Sequence, residues 1–171
     1  SALKVSYQDP DYLASAVFQR LVYGLHPYGS PGLGTPDSIE RVTRDDLALY
    51  HSRYFVPGNC ILAVVGDVQL DEAFSAVEQA FGAWPARDVP RVLINPPPAP
   101  SRRIVVVDMP DAVQTEIRAG HLGLRRNADD YTELDLAVRI LGGEGANRLQ
   151  QVLRMQRGLT YSASAEFRAL R

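Results

Sequence analysis

The sequence predicts an α+β chain, on three observations. Several segments repeat apolar residues at helical spacing, and others run continuously β-branched or alternate with a period of two. Both kinds occur on each side of a proline-rich stretch.

Asp9-Pro10 supplies an N-cap and a proline at the first helical position. Leu13, Val17 and Leu21 then recur every four residues up to Gly24, which predicts a helix over 10–23. The following LHPYGSPGLGTPDS is crowded with Gly, Pro and Ser, and is expected to be an ordered surface loop with no regular element. Thr43 and Asp46 resemble a capping box, with Val42 and Leu47 as a staple, and a helix is expected over 44–55. Leu47, Tyr50, His51 and Tyr54 share its inner face by spacing.

Cys60 to Val65 reads as a strand covered on both faces, ended by Gly66-Asp67. Phe74, Val77, Ala80 and Phe81 form the stripe of a helix that packs on this strand, with Gly82 placed for a left-handed cap. Pro85, Pro90, Pro96, Pro97, Pro98 and Pro100 are six of the twelve prolines, so 85–101 is expected to be a stiff linker between 1–84 and 102–171.

Beyond the linker, Arg103 to Asp108 and Gln114 to Leu122 read as strands. Asp129 or Asp130 can cap a helix with the stripe Tyr131, Leu134, Val138 and Leu141, closed by Gly142-Gly143. A further helix begins near Ala146 with Leu149, Val152, Leu153 and Gln156 on its apolar side, which leaves Arg154 off that stripe in the last turn. From Leu159 to Arg168 the residues alternate, with Leu159, Tyr161, Ala163, Ala165 and Phe167 on one face of a half-buried strand.

With 171 residues, 46% of them hydrophobic, the chain is long enough to bury a sizeable core. The net charge is −2 and basic residues are scattered among acidic ones, so neither nucleic acid nor an anionic membrane is an expected partner. Cys60 is the one cysteine, which excludes an internal disulfide and a Cys-rich zinc site, and its neighbours make it an ordinary buried thiol. CILAVV is far too short to span a bilayer, and the first residues lack the features of a signal peptide.

His26, His51 and His121 are far apart, and none has a second ligand at the spacing that shares a helical face around zinc, so each reads as structural. Asp108 and Glu116 form no pair that the sequence fixes. Gly142-Gly143-Glu144-Gly145 lacks the Lys-Ser/Thr of a phosphate-binding loop and reads first as a turn after a helix. Arg154 and Tyr161, on either side of Gly158, are a candidate pair of donors for the carbonyls of an extended peptide. Spacing alone favours the plainer reading of Tyr161 as a packed core residue, and Arg157 as a solvated end-of-helix charge.

Taken together, HPYGSPGLGTPDSIERVTRDDLALYHSRYFVPGNCILAVVGDV, GHLGL, LGGEGANRLQQVLR and RGLTYS resemble the M16 (pitrilysin/insulinase, processing-peptidase-like) zinc metallopeptidase family over nearly the whole chain. The resemblance implies layered antiparallel sheets with helices, the LuxS/processing-peptidase-like metallohydrolase fold, here as partial domains. Residues 1–84 would be the back half of one domain and 102–171 the front half of the next. It implies zinc held by an HxxEH motif and a later Glu; the motif does not occur here, and the Glu would fall just before Ser1.

In the implied mechanism a zinc-bound water attacks a peptide carbonyl, with both ligands and general base outside these residues. Arg154 and Tyr161 match the family's substrate-contacting Arg and Tyr, and Gly142, Gly143 and Gly145 match a glycine turn that touches substrate in some members. The expected partners are a peptide or unfolded polypeptide, together with a second copy or another M16 chain. The resemblance suggests a bacterial periplasm or cytoplasm.

Overall fold

The computed structural model describes residues 2–170. Their regular elements are helices: α1 Ala2–Ser6, α2 Pro10–Tyr23, α3 Pro36–Arg41, α4 Arg44–Tyr54, α5 Leu70–Phe81 and α6 Tyr131–Gly142, with a π-helix at Gln150–Gln156. Short 3-10 turns occupy Pro27–Gly29 and Pro57–Asn59. The chain forms two compact units, Ser1–Arg118 and Ala119–Arg171.

Helix ends follow local chemistry. The Asp9 carboxylate accepts from the Asp11 N–H at 3.0 Å, and Pro10 opens α2 where its missing N–H is harmless. At α4 the capping box is complete: the Thr43 hydroxyl accepts from the Asp46 N–H at 3.2 Å and the Asp46 carboxylate accepts from the Thr43 N–H at 2.9 Å. The Thr43 hydroxyl also donates to the Asp46 carboxylate at 2.7 Å, and this bond, with that from the Thr43 N–H, favours the ionised form and holds its pKa below the ordinary value.

The loop expected after Gly24 is more structured than its glycines and prolines suggest. Thr35 and Ser38 cap α3 reciprocally, at 3.2 and 2.8 Å. The His26 Nδ1 accepts from the Tyr28 N–H at 3.1 Å and caps the first 3-10 turn. α6 starts after Asp130 with no side-chain cap bond, and Gly82 stays right-handed at φ −59 rather than forming a left-handed cap.

The expected α+β architecture with antiparallel sheets is overturned: among the described residues there is no strand. The segments read as strands at 60–65, 103–108, 114–122 and 159–168 carry no ladder. A β-branched or alternating pattern reports which side chains suit a pleated surface; a strand also needs a neighbour within about 5 Å to take its N–H and C=O groups. Ile61 is 100% exposed and Val106 87%, so these residues are not covered on both faces.

The core differs from expectation for the same reason. Val56, at the end of the α4 connection, is the buried hydrophobic residue among those described, and Phe74 and Phe81 of α5 are exposed rather than packed on a strand. Leu47 and Tyr50 are also exposed, so the face expected to point inward on α4 is open, and His51 stacks on Phe55 with ring centroids 5.0 Å apart. Cys60, expected to be buried, is exposed. No helix among the described residues is long and apolar enough to cross a membrane.

Candidate functional site

The candidate site lies in the second unit, where α6 runs into the glycine turn, the π-helix and the 159–168 segment. α6 ends at Gly142, which is buried, and its carbonyl accepts from the Ala165 N–H at 2.8 Å. A Cβ on Gly142 would stand 2.2 Å from the Ala165 nitrogen, so only glycine allows this approach of two backbones. Gly143 donates its N–H to the Arg139 carbonyl at 2.8 Å and closes the helix. Gly145 turns the chain at φ +82, with open space where a side chain would be.

Asn147 then anchors the turn. It is buried, and its amide donates to the Gly143 carbonyl at 2.6 Å and accepts from the Gln150 N–H at 2.8 Å. A buried amide paired at both ends satisfies the rule that polar groups out of water find partners. Neither Asn147 nor Gln150 stood out in the sequence. An Asn three residues before Gln150, just after a glycine turn, is the capping signal that could have found it.

Arg154 lies on the π-helix, a form that concentrates at functional sites. The Arg157 N–H reaches the Val152 carbonyl at 3.1 Å, the Leu159 N–H reaches Leu153 at 2.8 Å, and Gly158 reverses the chain at φ +61. This turn brings the two predicted residues together: the Arg154 guanidinium carbon stands 4.6 Å from the Tyr161 ring centroid. An exposed cation over an aromatic face is worth about 0.5–1 kcal/mol.

Tyr161 is 79% exposed. It therefore departs from the alternation of its own segment, in which Ala163, Ala165 and Phe167 are half-buried and Ser162, Ser164 and Glu166 exposed. Arg154 takes part in none of the salt bridges among the described residues, and its donors make no side-chain hydrogen bond there. A stacked guanidinium with free N–H groups beside an exposed phenol can donate to carbonyl or carboxylate oxygens.

The remaining candidates do not gather there. His26 caps its 3-10 turn, His51 stacks on Phe55, and the His121 Nδ1 lies 2.7 Å from the Leu122 carbonyl. Glu116 pairs with Arg118 at 3.1 Å. Among the described residues no three His, Cys, Asp or Glu side chains are placed to hold a metal ion, so the described residues do not fit a zinc site. In the first unit, a groove of about 520 Å³ beside α2 is lined by Leu13, Val17, Arg20 and Ser38 and contains none of the predicted site residues.

Known proteins resemble this chain over most of its length. Residues 41–171 match the family model described as the peptidase M16 inactive domain. An uncharacterized zinc protease of Mycobacterium leprae is 31% identical over 163 residues, covering 90% of this chain and 35% of its own length. A non-peptidase homolog of Helicobacter pylori is 23% identical, covering 95% of this chain and 37% of its own. The crystal structure of a peptidase M16 inactive domain from Pseudomonas fluorescens superposes with a TM-score of 0.73 at 27% identity, covering 99% of this chain and 41% of that one.

The likeness is thus to the domain class described as the inactive domain of M16 peptidases. The chain belongs to the M16 peptidase family. It spans little more than a third of the length of the sequence relatives named here.

Proposed function

We propose that this chain is the peptide-holding part of a zinc-dependent endopeptidase that cleaves peptides or unfolded protein segments. Arg154 and Tyr161 hold the substrate, and the metal and its general base lie on other residues of the whole protein. The observation that carries this reading is the guanidinium stacked on a ring left open to solvent. The glycine turn of Gly142, Gly143 and Gly145, whose carbonyls accept from Ala165 and Asn147, supports the pair from the same unit. Relatives named zinc proteases support zinc chemistry in the whole protein. In this reading, residues 85–101 link the parts contributed by 1–84 and 102–171.

The test is a titration of the purified chain with a fluorescently labelled unstructured peptide. Saturable binding that Arg154→Ala weakens about tenfold supports the reading, since a charge-assisted hydrogen bond contributes about 1.5–3 kcal/mol. Binding indifferent to that substitution sinks it. No peptide hydrolysis is expected from these residues alone.

A second reading is favoured by the matched inactive-domain model and by the relative named a non-peptidase homolog. Here the whole protein is a scaffold or partner subunit without catalysis. Zinc-dependent cleavage by the full-length protein separates the two. Under either reading, apolar residues such as Ile61, Val65, Leu93 and Val113, at 95% exposure or more, favour association with a second copy or another M16 chain. A monomer in sedimentation at high concentration contradicts that association.

A further inference from the structure

We propose that Gln150, seated by Asn147, is a positioning residue that keeps Arg154 over Tyr161; only the functional consequence of this rests on the peptide-holding reading above. Gln150 opens the π-helix that carries Arg154 four residues later. Its side-chain carbonyl accepts from the Ala163 N–H at 3.2 Å, and Ala163 lies two residues past Tyr161. One side chain therefore spans from the helix that carries the guanidinium to the segment that carries the phenol.

Without that span, the segment leaves the helix through Gly158, whose φ of +61 marks a turn with no side chain to stiffen it. The Leu159 N–H on Leu153 closes the base of this turn, on the near side of Tyr161. Gln150 fixes the chain on the far side. Tyr161 is thus held between two ties, which explains how a ring 79% exposed keeps a defined place under the Arg154 guanidinium.

Asn147 sets Gln150 in turn. Its four bonds, to the Gly143 and Gly145 carbonyls and from the Gln150 and Gln151 N–H groups, make the glycine turn and the start of the π-helix one unit. The Gly142 carbonyl on the Ala165 N–H continues the same seam two residues beyond Ala163. The glycine turn in this account is the mount of the Arg154–Tyr161 pair, through which substitutions there reach the site without touching a ligand.

The experiment compares Gln150→Leu, which removes the acceptor, with Gln150→Glu, which keeps one, in the full 171-residue chain. The readout is the ring-current shift that Tyr161 imposes on the Arg154 side-chain protons, with α6 amide resonances reporting the fold. The shift is expected to vanish in Gln150→Leu and persist in Gln150→Glu, with affinity for an unstructured peptide falling roughly five-fold only in the first. A shift retained in Gln150→Leu overturns the proposal.

Hydrogen exchange of the Ala163 amide in the unsubstituted chain decides the matter should Gln150→Leu not fold. Protection is expected, and exchange at the unprotected rate overturns the proposal. Absence of peptide binding in the unsubstituted chain would overturn the peptide-holding reading, while the ring-current shift still decides the positioning.

Discussion

The second unit contains two arginine–tyrosine pairs of the same chemistry and opposite circumstance. Arg126 stands 5.0 Å from the Tyr131 ring centroid and also donates to its hydroxyl at 3.2 Å, while the half-buried ring packs on Phe167 at 5.2 Å. Arg154 stands closer to Tyr161, at 4.6 Å, yet the hydroxyl has no partner among the described residues and the ring faces solvent. The first pair has used its hydrogen bond on itself, while the Tyr131 ring packs α6 on the 159–168 segment. The second has kept its capacity for something outside the chain. Stacking an arginine on a tyrosine is therefore uninformative by itself; what distinguishes a candidate site is the polar capacity left over.

The largest effect that can break this contrast comes from Gly142→Ala. Its Cβ would meet backbone at Ala165, which neither helix nor segment can avoid without moving. A loss of about 3 kcal/mol is expected in denaturant unfolding. Both pairs should be disturbed together, because Tyr161 and Phe167 ride on the same segment. Gly145→Ala is expected to be milder, about 1 kcal/mol, from its left-handed backbone alone.

Exchanging the two arginines for alanine sharpens the comparison. Arg154→Ala should lower peptide affinity about tenfold and leave stability within about 0.5 kcal/mol, as for an exposed surface change. Arg126→Ala should leave peptide affinity unchanged and lower stability by about 1 kcal/mol, through the lost hydrogen bond and cation–π contact. Equal effects of both on binding would erase the distinction.

The smallest effect is a pH control from the first unit. The Thr43 bonds lower the folded pKa of Asp46, so its contribution to α4 is complete above the ordinary carboxylate range and is lost as pH falls through the lowered folded value. Circular dichroism in acid should show this step reduced in Thr43→Ala, which loses the hydroxyl bond and keeps the one from the backbone N–H. Peptide binding at the second unit should not follow it.

What was legible in the sequence was local. Asp9-Pro10 fixed the start of α2, and Thr43 with Asp46 the start of α4, because each cap is made within three residues of itself. Thr35 and Ser38 made the same kind of signal for α3, and it was hidden by the surrounding glycines and prolines and by a Ser at the place where Glu or Gln is usual. The strands at 60–65 and 103–108 were not legible, since pairing depends on a distant partner and β-branched composition says nothing about whether one is present. Cys60 and His51 go with them: residue pattern assigns both to an interior, and both are exposed.

The site divides in the same way. Arg154 and Tyr161 were singled out by residue type and family resemblance, whereas the pattern of their neighbours pointed to a packed tyrosine. The alternation does persist in the half-burial of Ala163, Ala165 and Phe167, and Tyr161 escapes it because the Gly158 turn sets it beside the helix end. The π-helical winding has no signature in QQVLRMQ, and the Gln150 tie to Ala163 spans thirteen residues, beyond what periodicity reports.

The central claim is tested most directly by a double-mutant cycle on peptide affinity, with Arg154→Ala, Tyr161→Ala and the double variant. The account predicts that each single change weakens binding and that the two are coupled by about 0.5–1 kcal/mol, as neighbours gripping one ligand should be. Additive effects, or an affinity that neither change alters, would contradict it.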